Sequence, residues 1–250
     1  DYVECPGLDC ADILSARPGA SDSVYFIDPL EAGAYEAYCD MTTDSGGWTL
    51  VAVVSDDGQD TWTWNNRTYW ESDTTTFGDL EELEEDYKSD ALHEMGFSDM
   101  LFIHNPSGEW GAYHSVGDDT QDLGSFISGF GDSYCWATET GGVGYALSDG
   151  TLSSTGDLCS TDLFFNAKDQ EGSSSSCVGG STNSADAHGP MWSGDRNDGC
   201  PMDDPGRTSS LGPRKNDSST EQEAVGYGDV LNLNTGTSGA AENYMHVFVR

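Results

Sequence analysis

The alternation of hydrophobic and polar positions in the first 55 residues predicts one short helix followed by three strands. Residues 9–17 have helical spacing and begin with Asp9, a favourable N-cap residue. Residues 24–28 and 35–40 are predicted to form two strands joined by a glycine-containing loop. Residues 48–54 are a continuous apolar, β-branched run, which is typical of a strand buried on both faces. Three of the four elements in this part are therefore predicted to be strands.

A longer amphipathic segment and two more strands follow, and between them regular periodicity is nearly lost. Residues 79–95 carry apolar side chains at helical spacing with glutamates between them, and predict one amphipathic helix. Residues 100–104 and 244–249 are predicted to be strands. From about residue 141 to 243, Gly, Ser, Asn and Asp dominate, which is loop composition. A loop region of this length inside a compact domain indicates functional loops held by metals or disulfides.

The charge balance excludes several classes of partner. The chain has 9 Lys and Arg against 45 Asp and Glu, a formal net charge of −36. Because a field of that sign repels phosphate, we expect no binding to nucleic acid or to an anionic membrane surface. No apolar run approaches the roughly 20 residues that span a bilayer, so we expect no membrane insertion. Hydrophobic residues make up 36% of the sequence, which is enough for a folded core despite the acidity.

Seven cysteines are spread along the sequence, with no CxxC pair and no histidine spacing that completes a zinc site. Dispersed cysteines in a Gly-, Ser- and Asp-rich protein indicate disulfides, and hence a secreted, extracellular location. The odd count leaves one cysteine over, and we assign Cys5 as a free or intermolecular thiol. The alternative is a set of reduced, buried cysteines in a cytosolic protein.

The segment from Cys39 to Val51, CDMTTDSGGWTLV, resembles the C-D-M…G-G-W-T hallmark of fibrinogen-related domains. Cys10 precedes Cys39 by 29 residues, which fits the same family. Several shorter matches resemble intelectins, the X-type lectins, within that superfamily: Leu50-Val51, Asp86-Tyr87-Lys88, Cys135-Trp136, and the ending Glu242…Phe248-Val249-Arg250. The protein is therefore similar to a stand-alone, bacterial-type member of the fibrinogen-related lectins.

The resemblance implies an α+β fold of the fibrinogen C-terminal type. Its parts are a twisted antiparallel sheet, short helices and a long loop-rich region that binds calcium. Residues 1–250 would form a single domain, with an N-terminal hairpin subdomain at 1–55 and the central sheet and ligand-binding loops at 56–250. The resemblance also implies a Cys10–Cys39 disulfide. By proximity in the sequence we pair Cys135 with Cys159 and Cys177 with Cys200.

Three acidic clusters supply the oxygen ligands that calcium prefers. The first resembles the calcium loop of fibrinogen-related domains, the second holds two adjacent carboxylates between prolines, and the third lies where intelectins carry a calcium loop. Their members are Asn166, Asp169 and Glu171; Asp198, Asp203 and Asp204; and Asp56 and Asp57 with Asp86 as a distant partner. In so acidic a protein, the alternative for each cluster is a solvated surface. None has the spacing of an EF-hand.

Three side chains are candidates for direct contact with a ligand. Trp192 lies three residues after Gly189 and Tyr227 lies between two glycines, both in loop-like sequence. An aromatic ring there could pack against the apolar face of a sugar. His188 could exchange a hydrogen bond with a ligand hydroxyl. The alternatives are that the two rings anchor their loops in the core, and that the histidine is simply exposed.

Enzymatic activity is not expected. Residues 44–47 resemble the D-S-G-G of trypsin-like proteases, but Thr43 and Trp48 replace the flanking residues and no histidine precedes them to act as the base. Nucleophile-elbow, phosphate-loop and zinc-protease motifs do not occur in the sequence. We expect a calcium-dependent carbohydrate-binding lectin that recognises terminal diols of cell-surface or extracellular glycans, as a homo-oligomer that gains avidity. The alternative is a fibrinogen-like module that binds protein or acetyl groups and uses calcium structurally.

Overall fold

The computed structural model describes the N-terminal half of the protein, its last strand and three further strands. The described residues are 5–55, 59, 61–62, 66–105, 110–129 and 244–250, together with the backbone of 135–139, 162–166 and 189–192. Within them, no helix is long and apolar enough to cross a membrane.

Short helices alternate with antiparallel strands along the sequence. The helices are α1 (Cys10–Ala16), α2 (Thr68–Glu71), α3 (Ala91–Glu94) and α4 (Leu123–Ser128), with one 3-10 turn at Thr43–Ser45. The strands are β1 (Ser23–Ile27), β2 (Tyr35–Asp40), β3 (Trp48–Ser55), β4 (Tyr87–Lys88), β5 (Met100–Asn105), β6 (Trp110–Tyr113), β7 (Cys135–Glu139), β8 (Asp162–Asn166), β9 (Gly189–Trp192) and β10 (Tyr244–Val249). One sheet has the order β1-β2-β3-β10-β5-β6, with β4 paired to β3, and a second has the order β7-β8-β9.

The N-terminal predictions are confirmed element by element. Helix α1 begins after Asp9, whose Oδ1 accepts a hydrogen bond of 2.7 Å from the Asp12 N–H, as an N-cap side chain should. Strands β1 and β2 form the predicted hairpin, with Ile27 opposite Tyr35 at its closed end. The predicted strands at 100–104 and 244–249 are β5 and β10. These elements were predictable because a cap or a run of apolar residues within each segment specifies them.

Strand β3 is the centre of the large sheet. All eight of its residues are buried, because it pairs with β2, β4 and β10 and carries apolar side chains on both faces. A bulge opposite Val247 and Phe248 leaves Val51 without a register partner, so Val51 and Ala52 both join the core on the helix side. The other face packs Trp48, Leu50 and Val53 into a second cluster.

The turn before β3 requires its two glycines. Gly46 and Gly47 have φ values of 73° and 81°, in the left-handed region that favours glycine. A side chain on Gly46 would clash with the Met41 carbonyl. The turn is closed by Trp48, whose indole N–H donates to the Thr43 carbonyl oxygen at 2.8 Å. The Gly-Gly-Trp motif is thus a structural device that starts the central strand.

The prediction of one helix over residues 79–95 is wrong. Residues 79–86 form turns, β4 pairs with β3 through Tyr87 and Lys88, and only Ala91–Glu94 is helical. The apolar spacing arose because Leu80 and Leu83 pack on the second core cluster from a loop. Repulsion in the acidic run disfavours a helix, and pairing with the buried β3 stabilises the extended form.

Lys88 is a buried cation in this rearranged segment. It is 1% exposed, its Nζ donates to the Asp73 carbonyl oxygen, and the ammonium lies 5.7 Å from the centre of the Tyr69 ring. Burial lowers the pKa of Lys88 to about 8, although the nearby carboxylates of Asp73 and Asp90 favour the charged form. The protonated amine therefore costs folding free energy at neutral pH.

We predict that the free energy of unfolding increases as the pH rises into mild alkali, because the buried lysine then loses its proton. Between about pH 8 and 10, the unfolded lysine, with a pKa of 10.5, holds a proton that the folded one has lost, so stability rises with pH. The expected gain is about 2 kcal/mol over that window, since each pKa unit of difference corresponds to about 1.4 kcal/mol. Urea unfolding at several pH values should show this rise in the wild type and lose it in Lys88→Met. Because the comparison cancels other titrations, parallel pH curves for the two proteins would contradict the prediction.

The last residue of the sequence ties three elements together. The Arg250 guanidinium lies 4.0 Å above the Trp48 ring and donates to the carbonyl oxygens of Asp44 (3.1 Å) and Gly46 (2.8 Å). It also donates to the Asp99 carboxylate at 2.8 Å. His114 lies between Asp99 and Asp44, with its ring nitrogens 2.9 and 2.8 Å from their carboxylate oxygens. We call Arg250, Trp48, Asp44, Asp99 and His114 the Arg250 clamp.

Hydrogen bonds in this clamp outweigh the cost of burying a carboxylate. Burial alone would raise the pKa of Asp99, but hydrogen bonds from His114, Arg250 and the Ser115 N–H bring that pKa below its usual value. The ionised carboxylate is thus the form that the clamp stabilises.

Candidate functional site

Polar side chains lie close together at the C-terminal end of β3, where the central strands of the large sheet end. Asp86 is 6% exposed, and its Oδ1 accepts a hydrogen bond of 2.9 Å from the backbone N–H of Ser55, the last residue of the strand. Ser55 is 0% exposed, and its hydroxyl has no hydrogen-bond partner among the described residues. A buried carboxylate and a buried hydroxyl therefore lie together at a point where the backbone leaves the core.

The pairing of β4 with β3 explains why Asp86 lies there. Ala52 is opposite Lys88 and Val53 is opposite Tyr87, so the residue before Tyr87 reaches the end of β3. Asp86, predicted as a distant partner of Asp56 and Asp57, is thus hydrogen-bonded to the residue that directly precedes Asp56. Asp56 and Asp57 themselves lie outside the described residues.

A second buried polar group lies at the same end of the sheet. The register places Ser55 opposite Tyr244, and Tyr244 opposite Asn105, so the three residues share one face. The Asn105 amide nitrogen is buried and finds no hydrogen-bond partner within the part of the protein that the structure describes. Sequence analysis missed Ser55 and Asn105, because only the strand register reveals that they lie on either side of Tyr244.

The described residues do not by themselves assemble a metal site. Among them, no three His, Cys, Asp or Glu side chains lie close enough to hold one ion. The donors at the end of β3 nevertheless suit calcium, which takes carboxylate, hydroxyl and backbone oxygens. The two carboxylates that would complete the set are the next two residues of the sequence.

The small sheet arranges part of the predicted C-terminal site. Asn166, at the end of β8, is opposite Cys135 on one side and Gly189 on the other. Trp192 is opposite Leu163, so it lies at the other end of the same strand pair. The backbone thus brings Asn166 together with Cys135 and Gly189, and separates it from Trp192 by the length of the strand.

The remaining candidates of the C-terminal half lie outside the described residues and stay predictions. They are Asp169, Glu171, His188, Asp198, Asp203, Asp204 and Tyr227, and the same holds for the Cys135–Cys159 and Cys177–Cys200 pairings. The Cys10–Cys39 disulfide is confirmed, and Cys5 is a free, exposed thiol.

Comparison with known proteins finds a family match for the N-terminal part. Residues 7–104 match the family model of the C-terminal globular domain of the fibrinogen beta and gamma chains. Among individual proteins, the sequence is 43% identical over 51 residues to the fibrinogen alpha-2 chain of Petromyzon marinus, covering 20% of this chain and 8% of that one. It is 46% identical over 44 residues to fibrinogen-like protein A of Apostichopus parvimensis, covering 17% of this chain and 16% of that one. The matched segments are thus a small part of these longer relatives.

Two solved structures are also similar. The fibrinogen-like globe domain of human ANGPTL6 aligns with 98% of this chain and 96% of its own, at 15% identity and a TM-score of 0.43. The corresponding domain of human ANGPTL2 aligns with 43% of this chain and 50% of its own, at 20% identity and a TM-score of 0.32.

The family match and the described architecture agree. Both contain an antiparallel sheet with a few short helices, and the matched segment runs from the residues before α1 into β5. Fibrinogen-like domains are binding modules without enzymatic activity. The protein therefore has the α+β fibrinogen C-terminal-like fold, with a segment at residues 7–104 that is similar to the fibrinogen C-terminal globular domain.

Proposed function

We propose that this protein is a calcium-dependent lectin that recognises terminal diols of extracellular glycans. The observation that carries the proposal is the buried carboxylate of Asp86 beside the buried Ser55 hydroxyl at the end of β3. Burying a carboxylate is costly unless hydrogen bonds or a cation compensate it. Asp56 and Asp57 are the next two residues of the sequence, and in a protein of net charge −36 a divalent cation would be the simplest counter-charge for such a set of carboxylates.

Two kinds of calcium site enter the proposal. The first is a structural ion at the end of β3, which would be held by Asp86, Ser55, Asp56 and Asp57. The second is the ion to which glycan hydroxyls bind, and its ligands would come from Asn166, Asp169, Glu171, Asp198, Asp203 and Asp204. Calcium supplies a neutralising charge and open coordination positions that accept two vicinal hydroxyls. His188, Trp192 and Tyr227 would contact the sugar from the side.

The confirmed disulfide supports an oxidising, extracellular location, where glycan partners are available. Exposed Cys5 is available to link copies of the protein into a homo-oligomer. Because a single diol site offers few contacts, several linked copies would raise the avidity.

The test is a glycan array run in millimolar calcium and again with EDTA. We expect binding that disappears with EDTA, returns with calcium and is displaced by glycerol, a simple diol. Competition by an N-acetyl compound instead would contradict the diol mode and favour acetyl-group recognition. A folded protein without glycan signal in either condition would contradict the lectin proposal and favour a protein-binding module.

The structural ion is tested separately with Asp86→Asn. Calcium binds the folded state and so raises the melting temperature of the wild type, by an amount that grows with calcium concentration. We expect Asp86→Asn to reduce that calcium-dependent rise, since it removes a buried carboxylate. Glu81→Gln, an exposed carboxylate in the same loop, is the control and should keep the full rise. An unchanged rise in Asp86→Asn would remove calcium from the end of β3.

A further inference from the structure

A cleft separate from the end of β3 opens between β2, β4 and the loop that follows α2. Its volume is about 340 Å³, which lies at the lower end of the ~300–1,000 Å³ typical of small-ligand sites. Glu36 on β2, Asp79 in the loop and Asp90 before α3 contribute carboxylates to its wall. Neither the sequence motifs nor the calcium proposal uses these residues.

The cleft is electrostatically negative in spite of a lysine in its wall. Lys88 lines the cleft but is 1% exposed, and its ammonium is bound by the Asp73 carbonyl oxygen. The pKa of the neighbouring Tyr87 phenol also reflects these negative charges. Burial raises the pKa of Tyr87 to about 12, a hydrogen bond with Ser89 opposes this, and the charges of Asp90 and Asp79 add to it. A cation entering the cleft would therefore be favoured.

The arrangement does not suit a metal ion. Glu36, Asp79 and Asp90 are all described residues, and within the described part of the protein no three acidic, His or Cys side chains converge as a metal site. Carboxylates distributed around a cavity instead match a larger organic cation, which can meet each of them with a different group.

The rest of the wall selects among organic cations. Phe77 lines the cleft and is only half-buried, so its ring offers aromatic surface for the apolar C–H face of a sugar ring, whereas the Tyr87 ring is buried. Thr76 adds an exposed hydroxyl that can exchange hydrogen bonds, whereas the Ser89 hydroxyl is buried and accepts from the Ala91 N–H. An aromatic ring, a hydroxyl and several carboxylates together fit a ligand that is cationic, hydroxylated and partly apolar.

We propose that the cleft binds an amino sugar with a free ammonium group. The ammonium would pair with the carboxylates, the sugar hydroxyls would bond to carboxylate and hydroxyl oxygens, and the ring would lie against the aromatic wall. In naming a glycan, this inference rests on the proposed lectin function. This site differs from the proposed diol site in requiring no calcium, because the cleft residues would contact the sugar directly.

The test is calorimetric titration of the full-length protein with a glucosamine disaccharide, in EDTA and low salt at mildly acidic pH. We expect binding that weakens as salt is added, since exposed charges are screened. The N-acetylated disaccharide, which lacks the charge, should bind at least tenfold more weakly. The double variant Glu36→Gln with Asp79→Asn should lower the affinity about fivefold to tenfold, since each partly exposed ion pair contributes modestly. Asn at 79 preserves the hydrogen bond from the Glu81 N–H to the side chain of residue 79.

The matched control is Glu82→Gln, which removes an exposed carboxylate of the same loop that does not line the cleft. It should leave the affinity unchanged. Equal loss in control and double variant would overturn the site, because it would mean attraction to the overall charge. Equal affinity for lysine amide would overturn the sugar assignment and point to basic peptides. Absence of binding in EDTA would overturn this inference and leave the calcium-dependent proposal intact.

Discussion

Replacing both Cys10 and Cys39 with alanine is expected to lower the free energy of unfolding by about 3–4 kcal/mol. The disulfide closes a loop with a sequence separation of 29 residues, and the chain-entropy account gives about this value for such a loop. Both cysteines are 0% exposed and pack in the helix-side core, so their loss also removes contacts between α1 and β2. The Cys10 N–H, which donates to the Thr49 Oγ1 at 3.3 Å, would lose part of its positioning.

Urea unfolding followed by tryptophan fluorescence measures this loss. Cys5→Ser, which changes the exposed free thiol, is the control and should unfold at the wild-type midpoint. Reduction of the wild type should shift its midpoint in the same direction as the double alanine variant. A double variant with the wild-type midpoint would show that the disulfide does not contribute to the free energy of unfolding.

The elements that were predictable from the sequence are those with a local cause. Helix α1 has its capping carboxylate at Asp9, and β3 contains the apolar, β-branched run 48–54, which is typical of a buried strand. The Gly-Gly-Trp segment was recognised from sequence as part of the family hallmark, and the structure shows why it needs glycine, since Gly46 has a φ value of 73°. In each case the determining residues lie within the element or next to it.

The elements that were not predictable depend on pairing between distant segments. Residues 79–95 have helical spacing, yet Tyr87 and Lys88 form a strand because β3 offers them hydrogen bonds and a buried face. The same applies to the end of β3, where Ser55 and Asn105 come from segments 50 residues apart in sequence (105 − 55 = 50) and are brought close by β10. The carboxylates of this protein are too numerous for sequence to identify the few that are buried, such as Asp40, and Asp86 was named from the family resemblance and not from any sign of burial.

The second large effect is expected at the Arg250 clamp. Arg250→Met keeps an apolar side chain against Trp48 but removes every side-chain donor, and should cost about 2–3 kcal/mol of unfolding free energy. The reason is that the Asp99 carboxylate and the Asp44 and Gly46 carbonyls lose a charged partner together. Side-chain exposures of 22% for Arg250 and 15% for Asp99 make this a partly buried pair, which solvent screens less than a surface ion pair.

Arg250→Lys distinguishes geometry from charge. A lysine keeps the positive charge but cannot direct separate donors to the carboxylate and to two carbonyls, so we expect it to recover only part of the loss. Unfolding free energies of the three proteins at neutral pH, measured in urea, provide the comparison. The near-ultraviolet circular dichroism of Trp48 should weaken in the methionine variant, because the Gly46-Gly47 turn beside the indole loses its support. If lysine restored the full stability, charge alone would hold the clamp, and the planar fork of Arg250 would be without consequence.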